Sequence, residues 1–347
     1  MHAEQMSLID SGTFATTLSN ILASLPGLEV LRMTDMANDT KSELRGNTVQ
    51  TAKMVMDDGR LQLHLATSLS WGTERLYQAR WERNEQTAPV TLLYDIPVAL
   101  TRGGVRLRGL SVRCEATANS SEQLITQRSA LRGTACEIQR GLSSLEMLHY
   151  NLTRLTEPND AVVLRRCRLN AAEYIKLAIT SEYLAELIIE LPGLHKSSKD
   201  IGEAYGSLEK ALGRMANTSL SQLQLGHVSL TADELRDIIE RYGDKALLCK
   251  LYSVYLNNGS WASVLDTVRA KIGLRVRDGS CSFQTEELNS LEMWNHYHDK
   301  YQKGLTEATI QGVLWINEVQ KAIKQYVAGQ EFVNPMMTCN LPFEPLL

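Results

Sequence analysis

Apolar residues recur at helical spacing over Thr13–Leu25, where Phe14, Leu18, Ile21, Leu22 and Leu25 share one face and Pro26-Gly27 ends the run. Leu28–Met33 reads as a short strand. The period then falls to two: Leu61, Leu63 and Leu65 alternate with Arg60, Gln62 and His64, and Asp57-Asp58-Gly59 makes Val49–Met56 a hairpin partner. Tyr77, Ala79 and Trp81 continue the alternation, followed by Leu92, Tyr94, Ile96, Val98 and Leu100, with Pro97 assigning that strand to an edge or a bulge. Past Gly103-Gly104, Val105 and Leu107 are out of phase with Leu110, Val112 and Cys114, a slip that a bulge at Gly109 would absorb. Successive strands with short turns predict an antiparallel meander.

From about Glu122 the pattern reads helical. Leu124, Leu131, Ile138, Leu145 and Leu152 fall seven apart, as in a coiled-coil seam or one long amphipathic helix, although Gly133 and Gly141 weaken it. Asn159-Asp160 caps a helix expected to end at Leu191. Ile201, Tyr205, Leu208, Leu212 and Met215 form a further stripe. Thr231 and Glu234 make a capping box that opens a helix with Leu235, Ile238, Ile239 and Tyr242 inward, running to Asn257-Asn258-Gly259. Trp261–Gly273 follows, then a small hairpin at Asp278-Gly279 and helices over Thr285–Gln302 and Thr306–Val327. No repeat of 20–50 residues is evident. The expectation is an α+β protein: residues 1–118 with the antiparallel sheet, 119–329 a larger helical bundle packed against it, and 330–347 an extended C-terminal arm.

The 347 residues, 44% hydrophobic, exclude a disordered chain and a miniprotein, and no apolar run is long enough to span a bilayer. The N-terminus lacks a secretory signal, and six scattered cysteines without a CxxC pair suit a reducing compartment, so cytoplasmic or nuclear residence is expected. The net charge of −4 conceals a polarity: −4 over residues 1–59, +5 over 60–168 and −5 over 169–347. All fifteen basic residues of the middle block are arginine, and no lysine lies between Lys53 and Lys176.

Guanidinium suits bidentate pairing with carboxylate or phosphate. One reading makes these arginines structural, paired to acidic surfaces of the same protein or its copies. The other has Arg75, Arg80, Arg83, Arg102, Arg106, Arg108 and Arg113 pave a surface for RNA or single-stranded nucleic acid, joined by Arg165, Arg166 and Arg168, with Trp71, Tyr77, Trp81 and Tyr94 stacking on bases. Arg106 and Arg108 would leave one strand face together.

Catalytic signatures do not emerge. GxxxxGK[ST], GxGxxG, GxSxG and HExxH are absent, Ser207-x-x-Lys210 lies in a helical stripe, and His296 and His298 are two apart, on opposite sides of any helix. No cofactor and no metal are expected. The tail combines prolines with the apolar anchors Phe332, Leu341, Phe343 and Leu346, as a partner-binding arm or a strap on its own core would. The reading reached from sequence is a non-enzymatic assembly or scaffold protein, viral or cellular, acting as a homo-oligomer or as a subunit of a larger complex without membrane insertion. Nucleic-acid binding is the alternative. An enzyme whose site leaves no motif is the second.

Overall fold

A computed structural model of the chain describes residues 7–8, 11–25, 28–34, 53–57, 60–66, 88–115, 131, 133–153, 171–191, 212, 215, 220–245, 247–286, 289–290 and 320–337. The chain divides into two compact units, one of residues 1–207 with 215–217 and one of 208–214 with 218–347.

Unit 1 contains α1 (Thr13–Ala23), β1 (Leu28–Thr34), β2 (Lys53–Asp57), β3 (Arg60–Ala66), α2 (Ala88–Arg102), β4 (Gly109–Glu115), α3 (Ala135–Leu142), β5 (Met147–Thr153), α4 (171–178) and β6 (Glu186–Glu190). Its strands lie in the order β6-β5-β4-β1-β3-β2. Four of the five pairings are parallel; β2–β3, with Asp57 opposite Arg60, is antiparallel.

The antiparallel meander is thereby overturned: the architecture is α/β, with parallel strands joined through helices. Parallel neighbours need long crossovers, and helices supply them between β3 and β4, β4 and β5, and β5 and β6. Residues 77–81, expected to continue the meander, lie outside the described residues.

The largest misreading falls on Leu92–Leu100, which is helix α2 and not a strand. Leu93, Asp95 and Ala99, which looked like the outward side of an alternating strand, are as buried as Leu92, Tyr94 and Ile96. A helix enclosed on all sides carries no face pattern, so the alternation was accidental. Pro97 sits inside this helix, not at a sheet edge. The slip at Gly109 has a similar cause. Val105–Arg108 precede β4, which begins at Gly109, so no bulge is involved.

The heptad seam dissolves as well. α3 opens on a Thr134–Glu137 capping box and closes after eight residues at Leu142; Leu145 stands in the turn and Leu152 in β5. Gly141, which counted against a long helix, lets α3 approach α2, since a Cβ there would meet the Pro97 carbonyl oxygen at 2.5 Å. The helix expected to run to Leu191 is replaced by α4 and then β6, where Leu187 and Ile189 alternate inward. Tyr150 of β5, Tyr174 of α4 and Tyr94 of α2 meet with ring centroids 5.6 and 5.7 Å apart, fixing the helices to the buried face of the sheet. In register across β1, β4, β5 and β6, Leu31, Leu110, Leu148 and Leu187 form one buried row, each side chain contributing roughly 1.5–3 kcal/mol over its exposed state.

Unit 2 is a repeat. β7 (Gln222–Gly226), β8 (Ser229–Thr231) and α5 (Ala232–Tyr242) are followed by β9 (Leu248–Tyr252), β10 (Tyr255–Asn258) and α6 (Trp261–Arg277), and then by β11 (Ser282–Glu286) and β12 (Asn289–Ser290); α7 (320–327) comes last. The strands form two parallel sheets, β11-β9-β7 and β12-β10-β8. At an offset of 26 residues Leu223, Leu225, Val228 and Leu230 become Cys249, Leu251, Val254 and Leu256, all buried. Leu235, Ile238, Ile239 and Tyr242 likewise become Trp261, Val264, Leu265 and Val268.

The turn between the paired strands recurs too, pivoting on His227 (φ 52°) and Ser253 (φ 47°), both in the left-handed region that non-glycine residues seldom enter. The Thr231–Glu234 capping box opens α5 as expected, but Leu248–Asn258 is a strand pair and not helix, and α6 continues through Gly273 to Arg277. Asp278-Gly279 turns α6 into β11, whose partner is the parallel strand β9, so there is no hairpin, and Thr285 belongs to β11 instead of a helix. Among the described residues no helix is long and apolar enough to cross a membrane.

Candidate functional site

Parallel strands in register place every second residue in a row on the face opposite the core. In unit 1 the face away from the Leu31–Leu110–Leu148–Leu187 row carries Val30, Gly109, Met147 and Glu186, then Arg32, Ser111, His149 and Ile188, then Arg113, Asn151 and Glu190; Val30, Gly109 and Ser111 are buried, and the partly exposed positions lie mainly on β5 and β6. Two cross-strand pairs cross it between β5 and β6. His149 Nε2 stands 2.7 Å from Glu186 Oε1, and Asn151 Nδ2 donates to Glu190 Oε2 at 2.5 Å. Both pairs are half-buried, and in both a carboxylate is offered from the outer strand of the unit.

In unit 2 the corresponding rows are Gln222, Leu248 and Ser282; Gln224, Lys250 and Gln284; Gly226, Tyr252 and Glu286. Tyr252 lies over Gly226: a Cβ on that glycine would fall 2.1 Å from the ring. His227 meets the same ring edge-on with centroids 5.6 Å apart, and the Lys250 ammonium stands 5.2 Å from the ring centroid.

Of the expected arginine surface, Arg102, Arg106, Arg108 and Arg113 lie among the described residues. Arg108 lies just ahead of β4, not on a strand, and pairs with Glu146 and Glu29, Nη1 donating to Glu29 Oε1 at 2.9 Å. These contacts, Glu146 foremost, hold its guanidinium further into the charged range. Arg102, at the end of α2, donates through Nε to Glu137 at 3.0 Å and through Nη1 to the Leu131 carbonyl at 3.3 Å. The Glu137 carboxyl is held below its ordinary range, first by the Thr134 backbone N–H and then by Arg102. Arg106 is exposed in the segment before β4, and Arg113 is half-buried on the polar face of β4. Tyr94 is buried in α2, so no base can stack on it. Arg75, Arg80, Arg83, Arg165, Arg166 and Arg168 lie outside the described residues, as do Trp71, Tyr77, Trp81, Ser207, Lys210, His296 and His298.

Of the arm residues, Phe332 is 88% exposed, while Leu341, Phe343 and Leu346 lie outside the described residues. The segment around Phe332 is nevertheless anchored. Asn334 is buried and donates to Asp266 Oδ1 at 2.7 Å and to the Ala262 carbonyl at 2.9 Å, and Tyr326 donates to the same Asp266 oxygen. Burial first, and Asp266 next, push the Tyr326 phenol up. Arg269 stacks on Tyr326 and donates to the Glu331 carbonyl.

Among the described residues no group of three or more His, Cys, Asp or Glu side chains is placed to hold a metal. Cys249 is enclosed, and burial pushes its thiol up to about 12, which makes it a packing residue and not a nucleophile. The residues missed in the sequence are those of the polar rows: His149, Asn151, Glu186, Glu190, Lys250 and Tyr252. Only the 26-residue offset around Leu223 and Cys249 could have exposed the unit 2 rows. Comparison with protein-family models, with curated proteins and with solved structures finds no match to the chain.

Proposed function

We propose that this chain is a non-enzymatic scaffold that works as a homo-oligomer or as a subunit of a larger complex, and that its polar strand rows are the surface it offers. The carrying observation is the registered repeat of unit 2. Stacked strand–helix units produce a continuous array of side chains that broadens with each unit, which is how repeat proteins build extended binding surfaces. A scaffold of either origin, viral particle or cellular complex, fits this reading equally.

The ion pairs of Arg102 and Arg108 support the structural reading of the arginine block over binding of RNA or single-stranded nucleic acid, because guanidiniums already engaged by carboxylates would have to exchange them for phosphate. Free thiols at Cys136, Cys249 and Cys281 favour a reducing, cytoplasmic or nuclear setting.

Light scattering on the purified chain over a concentration series tests the reading, and a defined multiple of the monomer mass is expected. A monomer at every concentration, combined with retardation of a labelled single strand that weakens steeply with salt, would replace it with the nucleic-acid alternative. Turnover of a small molecule by the monomer would replace it with the enzyme.

A further inference from the structure

We propose that Asn258 is a site of spontaneous covalent modification, its carboxamide being converted to a carboxylate through a ring closed onto the backbone nitrogen of Gly259. Asn258 is the last residue of β10, and both it and Gly259 are exposed. The Gly259 N–H donates to Oδ1 of Asn258 at 2.8 Å. The carboxamide carbon, one bond from that oxygen, is thereby kept beside the nitrogen that attacks it. Reacting groups already held in contact need little further ordering to close a ring.

The residue after an asparagine governs access to its carboxamide, because a side chain there crowds the attacking nitrogen and glycine has none. The fold itself requires glycine at 259. Its φ is +81°, in the left-handed region, and a Cβ would run into the Cβ of Ala232 at the start of α5. Asn258-Gly259 is the only Asn-Gly pair in the sequence. Asn257 does not share its setting: its Oδ1 accepts from Ser229 Oγ at 2.6 Å, and the residue after it carries a side chain.

The conversion consumes only water. The Gly259 nitrogen, having given its proton to base, bonds to the Asn258 carboxamide carbon; the bond from that carbon to the side-chain nitrogen breaks, and ammonia leaves. Water then opens the five-membered imide. Attack at the side-chain carbonyl gives aspartate, and attack at the main-chain carbonyl gives isoaspartate, with an additional methylene in the backbone. Either product adds a negative charge just ahead of Ser260, whose side chain caps α6, and the positive end of that helix favours it. Asn258 is also the register partner of Thr231, the cap of α5. The isoaspartyl product therefore alters the backbone where both helices of the repeat begin.

The test incubates the full chain at physiological temperature, at neutral and at mildly alkaline pH, and follows the tryptic peptide between Lys250 and Arg269 by mass spectrometry. Fragmentation should assign the mass gain of an amide-to-acid exchange to Asn258, and the gain should come faster at the higher pH, since the attacking nitrogen must first lose its proton. A synthetic peptide of residues 255–261 gives the unconstrained rate, and the folded chain should convert within about tenfold of it. Asn258→Gln, which would need a larger ring, should stop the conversion without moving the thermal midpoint. A folded chain slower than that margin, a gain assigned to Asn257, a rate indifferent to pH, or a gain that persists in Asn258→Gln would each overturn the proposal.

Discussion

Arg108 grips Glu146 through two hydrogen bonds, Nε to Oε1 at 2.7 Å and Nη2 to Oε2 at 2.6 Å, while the Arg108 carbonyl accepts the backbone N–H groups of Glu146 and Met147. The same carbonyl geometry recurs one strand further on, where Glu146 accepts from Ala185 and Glu186. The fork therefore reinforces the point at which β5 is aligned on β4. Glu146→Gln should lower the thermal midpoint, and the loss should shrink in high salt because both side chains are solvent-exposed. Arg108→Lys should not restore the midpoint, since an ammonium cannot present the fork. Thermal unfolding at two ionic strengths checks both statements, and a deficit indifferent to salt would contradict them.

The Thr134–Glu137 capping box gives α3 an acid sensitivity. The Glu137 carboxyl titrates lower in the folded chain than in the unfolded one, so its stabilisation is complete above the ordinary glutamate range and is lost as pH falls through the folded value. Denaturant unfolding from about pH 6 to about pH 3 should show Glu137→Gln losing less stability than the parent over that interval. Parallel pH curves for the two proteins would refute the assignment.

Gly226→Ala forces a Cβ into the Tyr252 ring and should cost about 1–3 kcal/mol by overpacking. In the Tyr252→Ser background the same change should cost markedly less, because the clash is gone. Urea unfolding of the four proteins in the cycle measures the coupling; strictly additive losses would mean the ring does not rest on Gly226.

Asn334 ties residues 331–337 to α6. Asn334→Ala removes the donor to Asp266 and to the Ala262 carbonyl in a buried setting and should cost about 1–3 kcal/mol. Limited proteolysis should then cut near Phe332 and Val333, already exposed, faster than in the parent. Unchanged cleavage would show that α7 holds the segment without the asparagine.

What was legible in the sequence was local. The helix at α1, the antiparallel pairing of β2 with β3 and the Thr231–Glu234 cap are each written in a few adjacent residues, and each is present, although Ile21 of the expected α1 stripe is exposed and Ala15 and Ser19 join Leu18 and Leu22 on the buried face. Strand direction was not legible, because the inward alternation of a five-residue strand such as β6 or β9, Leu187 with Ile189 or Cys249 with Leu251, is the same whether its neighbour runs parallel or antiparallel. Burial misled at α2, where enclosure on all sides erased the helical period and left an accidental alternation.

The candidate site was less legible still. Arginine count pointed to a basic surface, but composition cannot tell a guanidinium held by Glu146 from one held free for phosphate. That distinction depends on which carboxylate the fold brings within about 3 Å, and thus on contacts between residues nearly forty positions apart.

By itself, then, the sequence determined the caps, the turns and the segregation of charge, since these depend on neighbours along the chain. The tertiary structure alone decided that the strands run parallel, that Arg102 and Arg108 are spent on the protein's own acids, and that Lys250 and Tyr252 share a face. The physical reason is that rows on a parallel sheet are assembled by register between strands more than twenty residues apart, and no local pattern encodes that register.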